Sequence, residues 1–172
     1  MEFWRHTIEP YEGCLENLGS SLRASLALRV VIRTVPLFEP ALEDCFPTEY
    51  VVLVESATSV PVGLLAQWPF DAAFAEGFLA RYDALPDMDF APMVGPFMMA
   101  MVRLFEGFEN LSANDTIEVL YSCYEAVLMS QLGGRITEDD ERANARCSQA
   151  ITLQREEILQ YLRPRSAPPL CE

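Results

Sequence analysis

The segment from residue 97 to residue 109 most constrains how this chain folds. Apolar side chains run from its start to residue 108, interrupted only by Arg103, Glu106 and Gly107. A helix that is apolar on nearly every side is usually surrounded by other helices, and about 12–14 residues are too few to span a bilayer. The segment therefore predicts the central helix (97–109) of an all-α domain, with Arg103 and Glu106 paired on one stripe because they are three residues apart.

Length and composition predict one folded domain. A chain of 172 residues fits a single domain and can bury a core without disulfide or metal support. A hydrophobic content of 51% argues against global disorder. We expect residues 1–162 to form one helical domain and residues 163–172, which contain three prolines, to form a flexible Pro-rich C-terminal tail.

Helical periodicity predicts about six or seven helices arranged as a bundle or array around the central one. Near the N-terminus, apolar residues at 4-3-4-3 spacing predict a short amphipathic helix broken near Pro10; they are Trp4, Ile8, Tyr11, Leu15 and Leu18. A buried second helix follows from about Leu22. We expect this helix to face solvent along the stripe that carries Arg29 and Arg33, which are four residues apart.

The remaining helices are assigned from start signals and spacing. Residues 48–59 are valine-rich, yet a lone strand would lack a partner, so we predict a helix there. Another helix follows the Pro-Phe-Asp sequence at 69–71. Ser112 and Thr137 each begin a capping-box pattern, which predicts helices to about Leu132 and Leu162.

The charge of the chain restricts its partners. Formal net charge is −14, and all twelve basic residues are arginines. Residues 50–134 hold eleven acidic residues against two arginines, a net charge of −9. Such a field repels nucleic acid and anionic membranes, whereas it attracts a basic partner and speeds the encounter. The alternative is that the acidity only keeps an apolar-rich protein soluble.

Few residues suggest catalysis or metal binding. His6 is the only histidine, and without lysine there is no Schiff-base chemistry. The chain has no glycine-rich phosphate loop, and its five cysteines lack the close spacing of zinc ligands. Asp87 and Asp89 suit a turn better than a cation site. We predict a protein that is not an enzyme and has no cofactor and no metal; an enzyme using a buried carboxylate pair is the third hypothesis.

The odd cysteine count and the N-terminal sequence indicate a cytoplasmic protein with reduced thiols. Four methionines cluster near the central helix, at positions 93, 98, 99 and 101. They could form an adaptable binding surface, but their aromatic and leucine neighbours favour core filling.

The order of features resembles the YjaG-type family of uncharacterised, all-helical bacterial proteins. The resemblance begins at residues 35–38 (Val-Pro-Leu-Phe), continues through 70–71 and 85–90, and includes the central helix. It closes with the helix of residues 117–132 and the segment 151–163. The residues after Phe46 depart from the family pattern. The resemblance implies an all-α fold and carries no activity.

We therefore expect an acidic, non-catalytic protein-binding module: an immunity-type inhibitor that neutralises a basic bacterial toxin. The predicted partner-binding residues are acidic side chains and two aromatic anchors, namely Tyr82, Asp83, Asp87, Asp89, Phe90, Glu106, Glu109, Asp115 and Glu118. The alternative is a self-associating structural protein, a homodimer that uses the tyrosines of residues 117–132.

Overall fold

The computed structural model describes residues 1–59, 72–86 and 89–163. Within these ranges the secondary structure is entirely helical, which confirms the all-α prediction. Six helices have eleven or more residues, and four shorter ones have four to six. Predictions that fall on residues 60–71, on Asp87 and on the tail from residue 164 lie outside the described ranges.

The helices follow one another with short connections. The short ones are α1 (Glu2–Thr7), α2 (Glu12–Leu15), α4 (Leu42–Cys45) and α9 (Glu138–Ala143). The long ones are α3 (Ser20–Thr34), α5 (Thr48–Thr58), α6 (Ala72–Asp83), α7 (Val94–Glu106), α8 (Ala113–Gln131) and α10 (Ala145–Leu162). Turns of 3₁₀ helix cover Glu9–Tyr11 and Val35–Leu37. The N-terminal break at Pro10 and the helix over residues 48–58 are confirmed.

The predicted central helix lies three residues earlier than expected. It begins at Val94, because Pro96 is tolerated in the first turn of a helix, and it ends at Glu106, with Gly107 as its C-cap. Residues 107–109 are therefore a turn, not helix. The segment is buried as predicted, with Phe97 and Met101 fully inaccessible.

The core is shared between α7 and α8. Helix α8 contacts α3, α7 and α10, and α6 packs on α7. Ten of the nineteen residues of α8 are buried, among them Tyr124, whose side chain is fully enclosed. One continuous hydrophobic cluster extends from Trp4 in α1 to Ile158 in α10. The described helices therefore pack as a single domain around a two-helix centre.

Side-chain caps fix the helix starts that the capping pattern predicted. Ser112 accepts a hydrogen bond from the Asp115 backbone N–H at 3.0 Å, and Thr137 forms a full capping box with Asp140. Asn144 caps α10 by accepting from the Cys147 N–H, a cap that the sequence analysis missed.

The stripe of Arg29 and Arg33 reaches water only in part, since the Arg33 side chain is 38% exposed and that of Arg29 is 17% exposed. Both guanidinium groups bind the carboxylate of Glu157 on α10, which is 1% exposed. Arg29 Nε donates to Glu157 Oε2 at 2.7 Å, and Arg33 contacts Oε1. The Arg29 and Arg33 stripe of α3 is polar because it forms ion pairs with α10. The spacing of residues within α3 cannot identify Glu157 as their partner.

Candidate functional site

A packed aromatic cluster holds α6 against the end of α7. The rings of Phe78 and Phe105 are 4.3 Å apart between centroids, and those of Phe74 and Phe105 are 5.7 Å apart. Phe78 and Phe105 are both buried. These contacts bring the first turns of α6 beside the last turn of α7, although about thirty residues separate them in the sequence.

A tight turn then folds the chain back over the end of α7. A Cβ at Gly107 would lie 2.8 Å from Leu111 Cδ1 and 3.3 Å from the Arg103 carbonyl oxygen, so a larger residue would displace its neighbours. The backbone N–H of Asn110 donates to the Gly107 carbonyl at 2.9 Å and closes the turn. Leu111 is fully buried and anchors it. The turn places Phe108 and Glu109 opposite α6.

A cleft of about 240 Å³ lies between the first half of α6 and this turn. Its lining combines apolar side chains with three glutamates and comprises Ala72, Ala75, Glu76, Leu79, Phe105, Glu106, Gly107, Phe108, Glu109 and Asn110. Leu79 and Phe108 are half-buried, so their apolar surfaces are partly open to solvent within the cleft. The concave shape and its apolar walls make this cleft the candidate site.

The electrostatics of the cleft are negative. Glu76, Glu106 and Glu109 are all exposed, and within the described part of the chain none of them forms a hydrogen bond or an ion pair. The C-terminal end of α7 adds partial negative charge, because the last carbonyls of a helix point outward along its axis. The cleft therefore favours a cation that carries an apolar portion.

Two of the predicted partner-binding residues, Glu106 and Glu109, line the cleft. Glu76 completes the acidic rim, and the sequence analysis missed it. No local signal could have identified Glu76, because it joins the other two only through the packing of α6 on α7.

Asp115 and Glu118 lie in the first two turns of α8, three residues apart, and do not line the cleft. Asp115 already has partners: Ser112 Oγ donates to its Oδ2 at 2.6 Å, and Arg103 Nη1 lies 3.6 Å from its Oδ1. The prediction that Arg103 pairs with Glu106 is therefore wrong. Arg103 reaches across to α8, which leaves Glu106 available to the cleft.

The remaining described residues of the predicted set lie away from the cleft. Phe90 is 42% exposed, packs on Tyr50 with ring centroids 5.7 Å apart, and lies beside Gly95 at the start of α7. Gly95 and Glu106 are eleven residues apart on one helix, a distance of about 16 Å along its axis. Tyr82 is half-buried, and Asp83 and Asp89 are exposed. The described members of the predicted set are thus spread over the cleft, α8 and the chain on either side of residues 84–88, and among them Glu106 and Glu109 line the cleft.

The buried ionisable groups have structural partners. The Tyr124 hydroxyl donates to Glu141 Oε2 at 2.8 Å, and the Met1 amino nitrogen lies 2.9 Å from Oε1 of the same carboxylate. Burial and the hydrogen bond with Glu141 raise the pKa of Tyr124. Among the described residues, no three His, Cys, Asp or Glu side chains come together as a potential metal site.

The chain matches no protein-family model, and no curated protein or solved structure is detectably similar to it. The resemblance to the YjaG-type family therefore stays a prediction. None of the helices in the described ranges has the length and apolarity needed to cross a membrane.

Proposed function

We propose that this protein is a non-catalytic binding module whose cleft between α6 and α7 binds a basic segment of a protein partner. One observation carries the proposal: three glutamates without ion-pair partners in the described structure, Glu76, Glu106 and Glu109, surround an apolar cleft. An exposed acidic residue on its own is an ordinary solvated group. Three of them around concave apolar surface provide both charge and buried area for a partner.

The overall charge supports the same partner class. A net charge of −14 produces a negative field that attracts basic proteins over distances comparable to the Debye length. Steering of this kind raises association rates by about 10–10³-fold and weakens as salt is added. Long-range attraction would set the association rate, and contacts with Leu79 and Phe108 would slow dissociation.

The most specific form of the proposal is an immunity-type inhibitor that neutralises a basic bacterial toxin in the cytoplasm. A small acidic protein that inhibits its target by binding it tightly needs no catalytic residues. Its charge and its apolar cleft would complement an arginine- and lysine-rich surface on the toxin.

The first test is the coding sequence next to this gene, where the proposal expects a large secreted protein with a basic toxic C-terminal domain. That domain is then purified for binding and co-expression. We expect co-expression to restore growth, and we expect the association rate to fall at least tenfold between about 0.1 M and about 1 M salt. The triple variant E76Q/E106Q/E109Q should reduce this salt dependence more than a variant that removes the same charge elsewhere. The matched control is E16Q/E55Q/E156Q, which removes the same charge at exposed positions outside the cleft.

Absence of binding to such a domain would overturn the inhibitor proposal. If binding occurs but responds equally to the triple variant and its control, the cleft is not the site. A partner whose association rate does not change with salt would contradict electrostatic steering.

A second candidate, self-association, is favoured by the outer face of α7. Met99 is 50% exposed there, with half-buried Val102 three residues further on. The tyrosines predicted for this role support it less well than α7 does. Tyr124 is fully buried, and the Tyr121 ring packs edge-on against the Trp4 ring with their centroids 5.2 Å apart. Light scattering at micromolar concentration decides the matter: M99E should convert a dimer to a monomer, and a monomeric unmodified chain removes this candidate.

A further inference from the structure

We propose that the Met1 nitrogen is a modification site: as an ammonium group it fastens α1 to the rest of the domain, and acylation of this nitrogen weakens the docking of α1. This goes beyond the proposed function, because it concerns the N-terminal helix and not the cleft. One buried carboxylate, that of Glu141, and the charge of the group that faces it lead to this inference.

The carboxylate of Glu141 belongs to α9 and is fully buried. One of its oxygens, Oε2, accepts the hydrogen bond from the Tyr124 hydroxyl. The other, Oε1, accepts no hydrogen bond of good geometry within the described part of the chain, and it faces the Met1 ammonium nitrogen at 2.9 Å. A charge enclosed in this way is strongly destabilising without an opposite charge. The Met1 ammonium group therefore acts as the counter-ion of Glu141.

The arginines nearest to this pair in the sequence bind other carboxylates. Arg142 donates to Glu138 at 2.6 Å, and Arg5 lies 3.3 Å from Glu2. Within the described ranges Glu141 has no ion pair with an arginine. The charge of this buried carboxylate is thus balanced by the N-terminal ammonium group.

A second carboxylate, that of Glu125, lies near the same nitrogen. Glu125 is on α8 and is half-buried. Burial raises the pKa of Glu125, and the positive charge of the Met1 amine acts in the opposite direction. The ammonium group thus lies near carboxylates of two helices, α8 and α9, and it links both to the start of α1.

Acylation has two effects of opposite sign on α1. Met1 is the N-cap of α1, where the helix dipole disfavours a positive charge. Loss of that charge would stabilise an exposed helix by about fivefold at most. Loss of the counter-ion of a buried carboxylate shifts the equilibrium towards the open state by about a hundredfold or more. Because the second effect is larger, we expect acylation to weaken the docking of α1.

The modification uses an acyl thioester such as acetyl-coenzyme A. The amine nitrogen attacks the thioester carbonyl, so that a C–N bond forms and the C–S bond breaks. The ammonium group gives up two protons, one to the departing thiolate and one to solvent. The product is a neutral amide with one N–H, which can still donate a hydrogen bond to Glu141 but no longer balances its charge. Since the docked nitrogen lies against Glu141, the step takes place before α1 packs.

The test compares the full chain with a free Met1 amine and the same chain acetylated at this nitrogen, both verified by intact mass. Hydrogen exchange followed by NMR measures the opening of α1 through the backbone N–H groups of Arg5 and Ile8. These groups donate to the carbonyls of Met1 and Trp4. We expect both to exchange about a hundredfold faster in the acetylated chain. Unchanged or slower exchange would overturn the inference, because the helix dipole would then be the larger effect.

Two variants show whether the response depends on Glu141. E141Q removes the buried charge, so acetylation of this variant should change the exchange rates by less than about fivefold. The matched control is D139N, which removes an exposed carboxylate from the same helix and should keep the full response. An equal response to acetylation in E141Q and D139N would overturn the inference.

A chain with one glycine placed before Met1 makes the same test without changing Glu141, so the result does not depend on how well E141Q folds. The Met1 nitrogen becomes an amide in this chain, and the new ammonium group lies one residue further out. We expect the N–H groups of α1 to exchange as fast as in the acetylated chain. Exchange as slow as in the chain with the free Met1 amine would show that the charge is not needed at this nitrogen, which contradicts the inference.

Discussion

The indole nitrogen of Trp4 donates a hydrogen bond to the side-chain oxygen of Gln154 at 2.8 Å and so joins residues 150 positions apart. The amide nitrogen of Gln154 donates to the Leu120 carbonyl, also at 2.8 Å. Trp4 and Gln154 are both nearly inaccessible. One buried amide therefore links α1, α8 and α10, and it satisfies the polar groups that this packing encloses.

Replacing Gln154 with leucine should destabilise the protein by about 3 kcal/mol, because the Trp4 N–H and the Leu120 carbonyl would both lose their buried partner. The measurement is urea unfolding followed by far-ultraviolet circular dichroism. The control is Q149L, at an exposed glutamine on the same helix. Equal midpoints for the two variants would show that the buried amide has no special role.

Glu157 makes a pH-dependent contribution to stability. Burial alone would raise the pKa of Glu157, but hydrogen bonds from Arg29 and Arg33 outweigh it and hold the pKa below its ordinary value. We expect E157Q to reduce the free energy of unfolding by about 3 kcal/mol at pH 7, since two partly buried arginines lose their counterion. The neighbouring exposed residue gives the control, E156Q.

The sign of the pH effect follows from the lowered pKa. The ion pair contributes fully above the unfolded-state pKa of about 4.3, and this contribution is lost as pH falls through the folded-state pKa. The difference in unfolding free energy between the unmodified protein and E157Q should therefore be constant near neutral pH and shrink below about pH 4. A difference that grows on acidification would contradict this account.

Two methionines on α7 provide a matched test of the core. Met101 is fully buried, whereas Met99 is 50% exposed. M101A should reduce the free energy of unfolding by about 2–5 kcal/mol because it leaves a cavity, and M99A should change it by less than about 0.5 kcal/mol. Denaturant unfolding of both variants measures the difference. Equal losses would mean that α7 is oriented differently about its axis.

Thiol reactivity should follow burial. Burial raises the pKa of Cys123 to about 12 and that of Cys147 to about 11. Since the thiolate is the reactive form, neither should react with a thiol reagent at pH 8 while the protein is folded, whereas exposed Cys14 should react readily. Peptide mapping after brief labelling identifies the modified sites, and labelling in denaturant is the control. Rapid modification of Cys123 in the folded protein would contradict its burial.

The sequence predicted the helices well because their signals are local. Apolar spacing identified α8 and α10, and the Ser112 and Thr137 patterns located the starts of α8 and α9 closely enough for the caps to be confirmed. The sequence predicted one helix from Thr137 to about Leu162, whereas the chain breaks at Asn144 and α10 begins there with its own cap. The helix of residues 48–58 was also predicted correctly against its valine content, because a strand would have needed a partner. The start of α7 was misplaced, since Pro96 suggested a boundary where a first-turn proline is tolerated.

Pairing between helices could not be predicted in the same way. The sequence predicted that Arg103 pairs with Glu106 on its own helix, but Arg103 lies near Asp115 on the next helix. It also predicted that Arg29 faces solvent, but Arg29 binds Glu157. Both errors have one cause: the charge that a side chain meets depends on which helix packs beside it. Spacing within one helix does not contain that information.

By itself the sequence determined that this protein is all-helical and acidic and that α7 is buried, because periodicity, capping and composition act within a few residues of each other. Only the tertiary structure decided which carboxylates share a site. Glu76 meets Glu106 and Glu109 because Phe74 and Phe78 pack on Phe105, and Asp89 and Phe90 lie elsewhere because they lead into the opposite end of α7. Such contacts arise from side-chain packing between segments that are distant in the sequence. The local sequence gives the number of charged residues, whereas this packing sets their positions relative to one another.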